Sequence, residues 1–164
     1  MRDKISIKWL QAIQLVLAYE WLSSGLDKFL EDGFMAGIAK TLALFASKTS
    51  FGFYGTFLKN YAIPNAELFG NVVRYSEVLI GLGLSISVIA YYGLPSLRRI
   101  TSLFAAVAGI GGALLNLNLF WAASFSSPST AGINVVMGWT ALIIGIYYLK
   151  QLLRPAAPAK DKKK

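Results

Sequence analysis

The sequence predicts an all-α integral membrane protein: a four-helix transmembrane bundle with an amphipathic or re-entrant segment between its first and second spans. Three observations carry that prediction. The chain has 164 residues, 55% of them apolar, and a mean hydropathy of +0.54. It is too hydrophobic for an ordinary soluble domain and long enough for about four spans of roughly 20 residues each. Its apolar residues collect into long runs separated by glycine, proline and charge. Most basic residues lie in the segments that flank those runs, so the excess of sixteen Lys and Arg over eight Asp and Glu reads as membrane orientation, not nucleic-acid binding.

Cysteine and histidine are both absent. This excludes disulfides, thiolate nucleophiles, iron–sulfur clusters, imidazole metal ligands and histidine-ligated haem. No metal site is expected, and redox chemistry would need a diffusible organic cofactor or a partner subunit.

The first span, 9–30, follows a basic start at Arg2, Lys4 and Lys8. A signal peptide has the same outline, but Glu20 interrupts the run and no small-x-small cleavage pattern follows it. Residues 31–67 are mixed. Within them Met35, Ile38, Leu42 and Phe45 recur at helical spacing, with Lys40 and Lys48 elsewhere on the wheel, as in a short amphipathic helix lying in the interface. The aromatic stretch FGFYGTFLKNYAIP that follows suits the headgroup layer or a lid over the bundle. A buried re-entrant segment is the alternative.

The second span, 68–92, carries Arg74 and Glu77 in its first half. An ionisable pair inside a span is costly and needs a partner or a purpose. The two lie three residues apart, so they project from roughly one helix face, which Gly81 and Ser85 extend with small residues. GLPSLRRI closes this span with breakers and a basic loop. In the third span, 101–122, Ala105, Gly109 and Ala113 form a small-residue stripe for close helix packing. The GIGG within it resembles part of a nucleotide-binding loop, but no strand precedes it and it lies mid-span, so it is read as packing. A polar connection at 125–130 leads to the fourth span, 132–149. The tail, 151–164, is basic and proline-containing and is expected to be disordered at the cytoplasmic surface.

Four spans place both termini on one side. Eleven of the sixteen basic residues then fall on the terminal side, and four of the rest lie at or near the long first loop. That bias predicts a multi-pass protein of the plasma membrane with both termini cytoplasmic. At about 1.5 Å per residue, Glu20 lies about 12 Å below the outer face, and Arg74 and Glu77 lie about 8 and 12 Å below it. Asn116 and Asn118 come near the outer end of the third span, Asn134 near the outer start of the fourth, and Lys28 near the interface. Strongly polar side chains from all four spans therefore share the outer half of the bundle.

Two readings of this cluster stand. In one, Arg74 pairs with Glu77 or Glu20 and the asparagines hydrogen-bond between helices, so the cluster only fixes packing. In the other, a cavity holds a small anion or a quinone headgroup. Glu77 and Glu20 then handle protons, while Arg74, Lys28, Asn116, Asn118, Trp121 and Asn134 bind substrate or quinone.

The stretch Phe53–Leu84, FYGTFLKNYAIPNAELFGNVVRYSEVLIGLGL, resembles the loop and second span of the DoxD/DoxX membrane proteins. WLSSGLDKFL at Trp21–Leu30 is similar to the end of that family's first span, and NLNLFWAA at Asn116–Ala123 to the end of its third. The resemblance covers most of residues 20–145. It implies a four-helix membrane subunit and, for the DoxD branch, the large subunit of a thiosulfate:quinone oxidoreductase working with a smaller DoxA partner, with quinone as electron acceptor. A non-catalytic accessory subunit of a respiratory or other membrane complex is the competing expectation. A small transporter is weaker, because the chain shows no internal repeat.

Overall fold

The computed structural model describes residues 2–153, with side-chain packing from Ile7 onward. The helices are α1 (Arg2–Leu30), α2 (Gly33–Lys48), α3 (Gly52–Phe57), α4 (Ala66–Gly93), α5 (Arg98–Ala123) and α6 (Pro128–Leu153). A π-helical turn, Leu58–Ala62, continues α3, and a short 3-10 turn, Pro95–Leu97, precedes α5. The described chain is all-helical. Three stretches, Ala66–Gly93, Pro95–Ala123 and Pro128–Leu153, are long and apolar enough to cross a membrane.

α1, the expected first span, is as long as these at 29 residues but is not among the three. Gln11, Gln14, Glu20, Asp27 and Lys28 dilute its apolar face. α6 starts at Pro128, earlier than the expected 132, because proline is well tolerated in the first helical turn, where its missing N–H costs nothing. The Ser127 hydroxyl accepts the Thr130 N–H at 3.0 Å, capping that turn. Residues 151–153 continue α6, and the rest of the expected disordered tail lies outside the described residues.

Helix order around the bundle follows from small residues. A Cβ on Gly109 would lie 2.6 Å from the backbone nitrogen of Gly145 and 2.7 Å from the Ala141 carbonyl. α5 and α6 can meet this closely only with glycine there, which is the close packing that the Ala105–Gly109–Ala113 stripe predicts. Gly81 does the same between α4 and α1, where a Cβ would lie 2.9 Å from the Leu22 nitrogen. α4 also packs on α5, and α1 touches α6. Trp21, Leu84, Ala105, Ala141, Ile144 and Tyr148 form the central core.

The outward faces are apolar instead of polar. Leu79, Ile89, Val107 and Ile143 are each more than half exposed, whereas Gln11, Gln14, Glu77, Ser87 and Asn116 are buried. That inversion suits helices whose outer surface meets hydrocarbon. Gln14, fully buried, donates from Nε2 to the Leu84 carbonyl at 2.8 Å and to the Ser87 hydroxyl at 2.7 Å. It joins α1 to α4 through hydrogen bonds, one of the contacts that hold helices together where water cannot.

α2 and α3 form a cap over one end of the bundle. Ile38, Leu42 and Ala46 are the buried face of α2, one turn apart, as the amphipathic spacing predicts, with Met35 and Phe45 half-buried beside them. The Thr49 hydroxyl, in the corner between α2 and α3, donates to the Trp121 carbonyl at 2.5 Å. This ties the cap to the end of α5.

Candidate functional site

Beneath the cap lies a cavity of about 390 Å³, walled by α2, α3, α4 and α5 and reached by Lys28 from α1. Its lining is mainly apolar and aromatic, with Phe34, Phe45, Phe57 and Phe69, and its polar groups are Lys28, Thr41, Tyr54 and Asn118. An apolar cleft of this size with a few convergent polar groups is the usual form of a small-molecule site.

The cavity's charge is set by one ion pair. Glu77, 2% exposed on α4, accepts from the Lys28 ammonium at 2.6 Å and from the Ser24 hydroxyl at 3.3 Å. Lys28 also donates to the Ser24 carbonyl at 3.1 Å and to the Ser24 hydroxyl at 2.8 Å, so all three of its N–H groups are engaged. The local sequence explains the fit. Ser24 and Lys28 lie one turn apart on the face of α1 that meets α4. Between them is Gly25, where a Cβ would come within 2.9 Å of the Val78 nitrogen and 3.0 Å of the Glu77 Cβ. Only glycine lets the carboxylate approach so near. Lys28 also lies 5.8 Å from the Phe34 ring centroid, a cation–π contact from the cavity wall.

At the other side of the cavity Tyr54, 8% exposed, donates its hydroxyl to Asn118 Oδ1 at 3.3 Å, and Asn118 Nδ2 donates to the Leu114 carbonyl at 2.8 Å. Trp121 packs outside this pair, its ring centroid 5.7 Å from that of Tyr54 in a tilted contact and 5.3 Å from that of Phe53 edge to face. It braces α3 and does not line the cavity.

The remaining site residues expected from sequence disperse. Asn116 and Asn134 line a separate groove of about 360 Å³ between α5 and α6, with Phe120 and Trp139. Each Nδ2 donates into its own helix, Asn116 to the Gly112 carbonyl and Asn134 to the Thr130 carbonyl. Glu20 is exposed on the outer side of α1 beside Tyr19, away from Glu77. Arg74 departs furthest from expectation. Among the described residues it forms no ion pair with Glu77, Glu20 or any other carboxylate. Its Nη2 donates to Asn71 Oδ1 at 2.6 Å, and its guanidinium lies over the Phe29 ring. Lys28 takes the carboxylate because Gly25 brings α1 to Glu77, whereas Arg74, three residues back along α4, projects toward the outer edge of the α1–α4 seam.

Sequence reasoning did not single out Tyr54, or the buried Gln11 and Gln14. The signal for the glutamines was present in their spacing: residues 11, 14, 18, 21, 25 and 28 trace one seam of α1 and are buried or half-buried.

These features define a class, an α-helical bundle with three helices fit to cross a membrane and a capped cavity beside a buried ion pair. No protein-family model matches the chain, and neither a curated protein nor a solved structure does.

Proposed function

We propose that the cavity under the α2–α3 cap is a quinone site, and that the protein is the membrane subunit of a respiratory redox complex of the DoxD-like thiosulfate:quinone oxidoreductase type. The observation that carries the reading is the pairing of an aromatic-lined cavity of about 390 Å³ with Lys28, Tyr54 and Asn118 as its polar groups. A planar ring fits between phenyl groups, and its carbonyls need donors, which Lys28 and Tyr54 supply on two sides by exchanging a Ser24 contact and the Asn118 contact. The sequence resemblance in 53–84, 21–30 and 116–123 supplies the reaction type. Two thiosulfates joined as tetrathionate release two electrons, and quinone takes up those electrons with two protons to become quinol. Glu77, paired with Lys28 and outside the cavity lining, would pass protons toward the ring through Lys28.

In this reading α1 is the fourth span, both termini are cytoplasmic in the plasma membrane, the α2–α3 cap lies at the outer face, and a smaller DoxA-like subunit completes the enzyme. The test is reduction of a soluble quinone analogue on adding thiosulfate to the purified chain, alone and with co-purifying subunits. Reduction lost in Lys28→Met and Tyr54→Phe supports it. Absence of both quinone binding and reduction in the intact complex overturns it.

One observation favours a second reading. All three Lys28 N–H groups are already satisfied within the fold, as a purely structural pair requires, and a ligand must displace a Ser24 contact to reach one. An accessory subunit would use the same cluster only for packing. Such a complex would keep full activity when Lys28 and Glu77 are replaced together.

A further inference from the structure

Arg74 presents a charge that the described residues leave unmatched. It sits eight residues into α4, about 12 Å along the axis from the helix start, and beside the penultimate residue of α1, Phe29. The Phe29 and Tyr75 rings meet edge to face at 5.0 Å between centroids. The guanidinium carbon lies 4.6 Å from the first centroid and 5.4 Å from the second. The two rings hold the guanidinium by cation–π attraction and shield one side of it.

The hydrogen-bond inventory is equally one-sided. Asn71 Oδ1 accepts one Nη2 proton at 2.6 Å. Nε is buried with no acceptor. Among the described residues neither Nη1 nor Asn71 Nδ2 has an acceptor, and Asp27, Glu31 and Asp32, at the end of α1 and just beyond it, form no ion pair with Arg74. Because the asparagine oxygen is turned to the guanidinium, its NH₂ stands beside the same cation. The guanidinium fork alone suits carboxylate and phosphate alike, but the Asn71 NH₂ beside Nη1 and Nη2 adds a further donor, and a tetrahedral anion has oxygens for all of them where a carboxylate has two.

We infer that Arg74 and Asn71, walled by Phe29 and Tyr75, form a docking site for a tetrahedral oxyanion of the phosphate or sulfate class at the rim of the α1–α4 seam. The site is separate from the capped cavity, whose lining does not include Arg74, so it holds whatever occupies that cavity. Two sources share the chemistry: the phosphodiester of an anionic lipid, and a free dianion such as sulfate or thiosulfate.

The test is chemical protection of the full chain in a maltoside detergent, which carries no phosphate. Arginine modification by phenylglyoxal is followed residue by residue, with Arg98 and Arg99 as internal references. Phosphatidylglycerol is added to one set, sulfate or thiosulfate to another. About tenfold slower modification of Arg74 is expected with ligand at about ten times its Kd, with little change at Arg98 and Arg99. Protection by the lipid alone assigns the site to a headgroup, and protection by the free anions in the phosphate-free detergent assigns it to a soluble oxyanion. Asn71→Ala, which keeps the charge, should lose several-fold of the protection. If that variant does not fold, the wild-type comparison decides. Protection at Arg74 no greater than at Arg98 and Arg99 with every anion overturns the inference. Quinone binding measured in the same preparation tests the capped cavity independently.

Discussion

Replacing Lys28 with methionine leaves the buried Glu77 carboxylate with only the Ser24 hydroxyl, 3.3 Å away. Removing one member of a buried pair costs about 3–5 kcal/mol, because the remaining charge is stranded. Lys28→Met should therefore lower thermal stability in detergent sharply, and adding Glu77→Leu should restore most of it. A single variant as stable as wild type would show that the pair is hydrated. Because the double variant folds in this account, it also isolates chemistry from packing: if the proposed quinone reduction is this protein's activity, it should stay lost. Tyr54→Phe is a gentler probe. It removes the one hydroxyl proton, which bonds Asn118 in the free protein and would turn to a quinone carbonyl in the bound one, and about 1 kcal/mol, or several-fold in the affinity of a quinone analogue, is expected from titration. Unchanged affinity would remove Tyr54 from the site. At this scale the sequence was only partly legible. That Glu77 needed a partner followed from its place in an apolar run, but which cation answers it depends on where two helices touch. Gly25 decides that, and a glycine seen in sequence does not say which residue it admits. Arg74, nearer in sequence, was the wrong expectation for the same reason.

Two glycines on one helix turn separate packing from propensity at the scale of the element. Gly109 faces α6, and a Cβ there would come within 2.6 Å of the Gly145 backbone nitrogen, whereas a Cβ on Gly111 would meet nothing within 4 Å. Gly111→Ala should be neutral or stabilising by up to about 1 kcal/mol through helix propensity. Gly109→Ala should destabilise despite the same propensity gain, because backbone on a facing helix can yield only if α5 and α6 separate. Equal melting temperatures for the two would show that the α5–α6 contact is not as close as described. Helical elements were the most legible part of the chain. The apolar runs, the small-residue stripe of α5 and the amphipathic face of α2 all rest on local periodicity, which needs no knowledge of neighbours. α3 and its π-helical turn were read only as an aromatic stretch, since their conformation depends on docking against Trp121 and Phe69.

The whole molecule poses the question that composition leaves to geometry: whether α1 crosses with the others. α4, α5 and α6 have the apolar length on their own, and α1 does not, yet its seam of Gln11, Gln14, Trp21 and Lys28 faces inward and its exposed side carries Trp9, Ile13, Val16 and Tyr19. Its polar residues lower its average hydropathy while facing the bundle, because several bond to α4: the Gln14 Nε2 to Leu84 and Ser87, Lys28 to Glu77, and Gln11 to the Tyr92 hydroxyl, which donates to its Oε1 at 2.6 Å. A helix that hides its polar side chains against neighbours can cross as part of a bundle although it would insert poorly alone. The cysteine-free chain allows a direct measurement with an impermeant thiol reagent on single-cysteine variants in oriented vesicles. Lys8→Cys and Ser96→Cys should label from one side, and Ser50→Cys from the other. Lys8→Cys labelling from the same side as Ser50→Cys would mean that α1 lies along the surface, leaving three spans and termini on opposite sides. The Lys28–Glu77 pair would then sit at the water boundary, and the quinone proposed for the capped cavity would have no path to it from the bilayer.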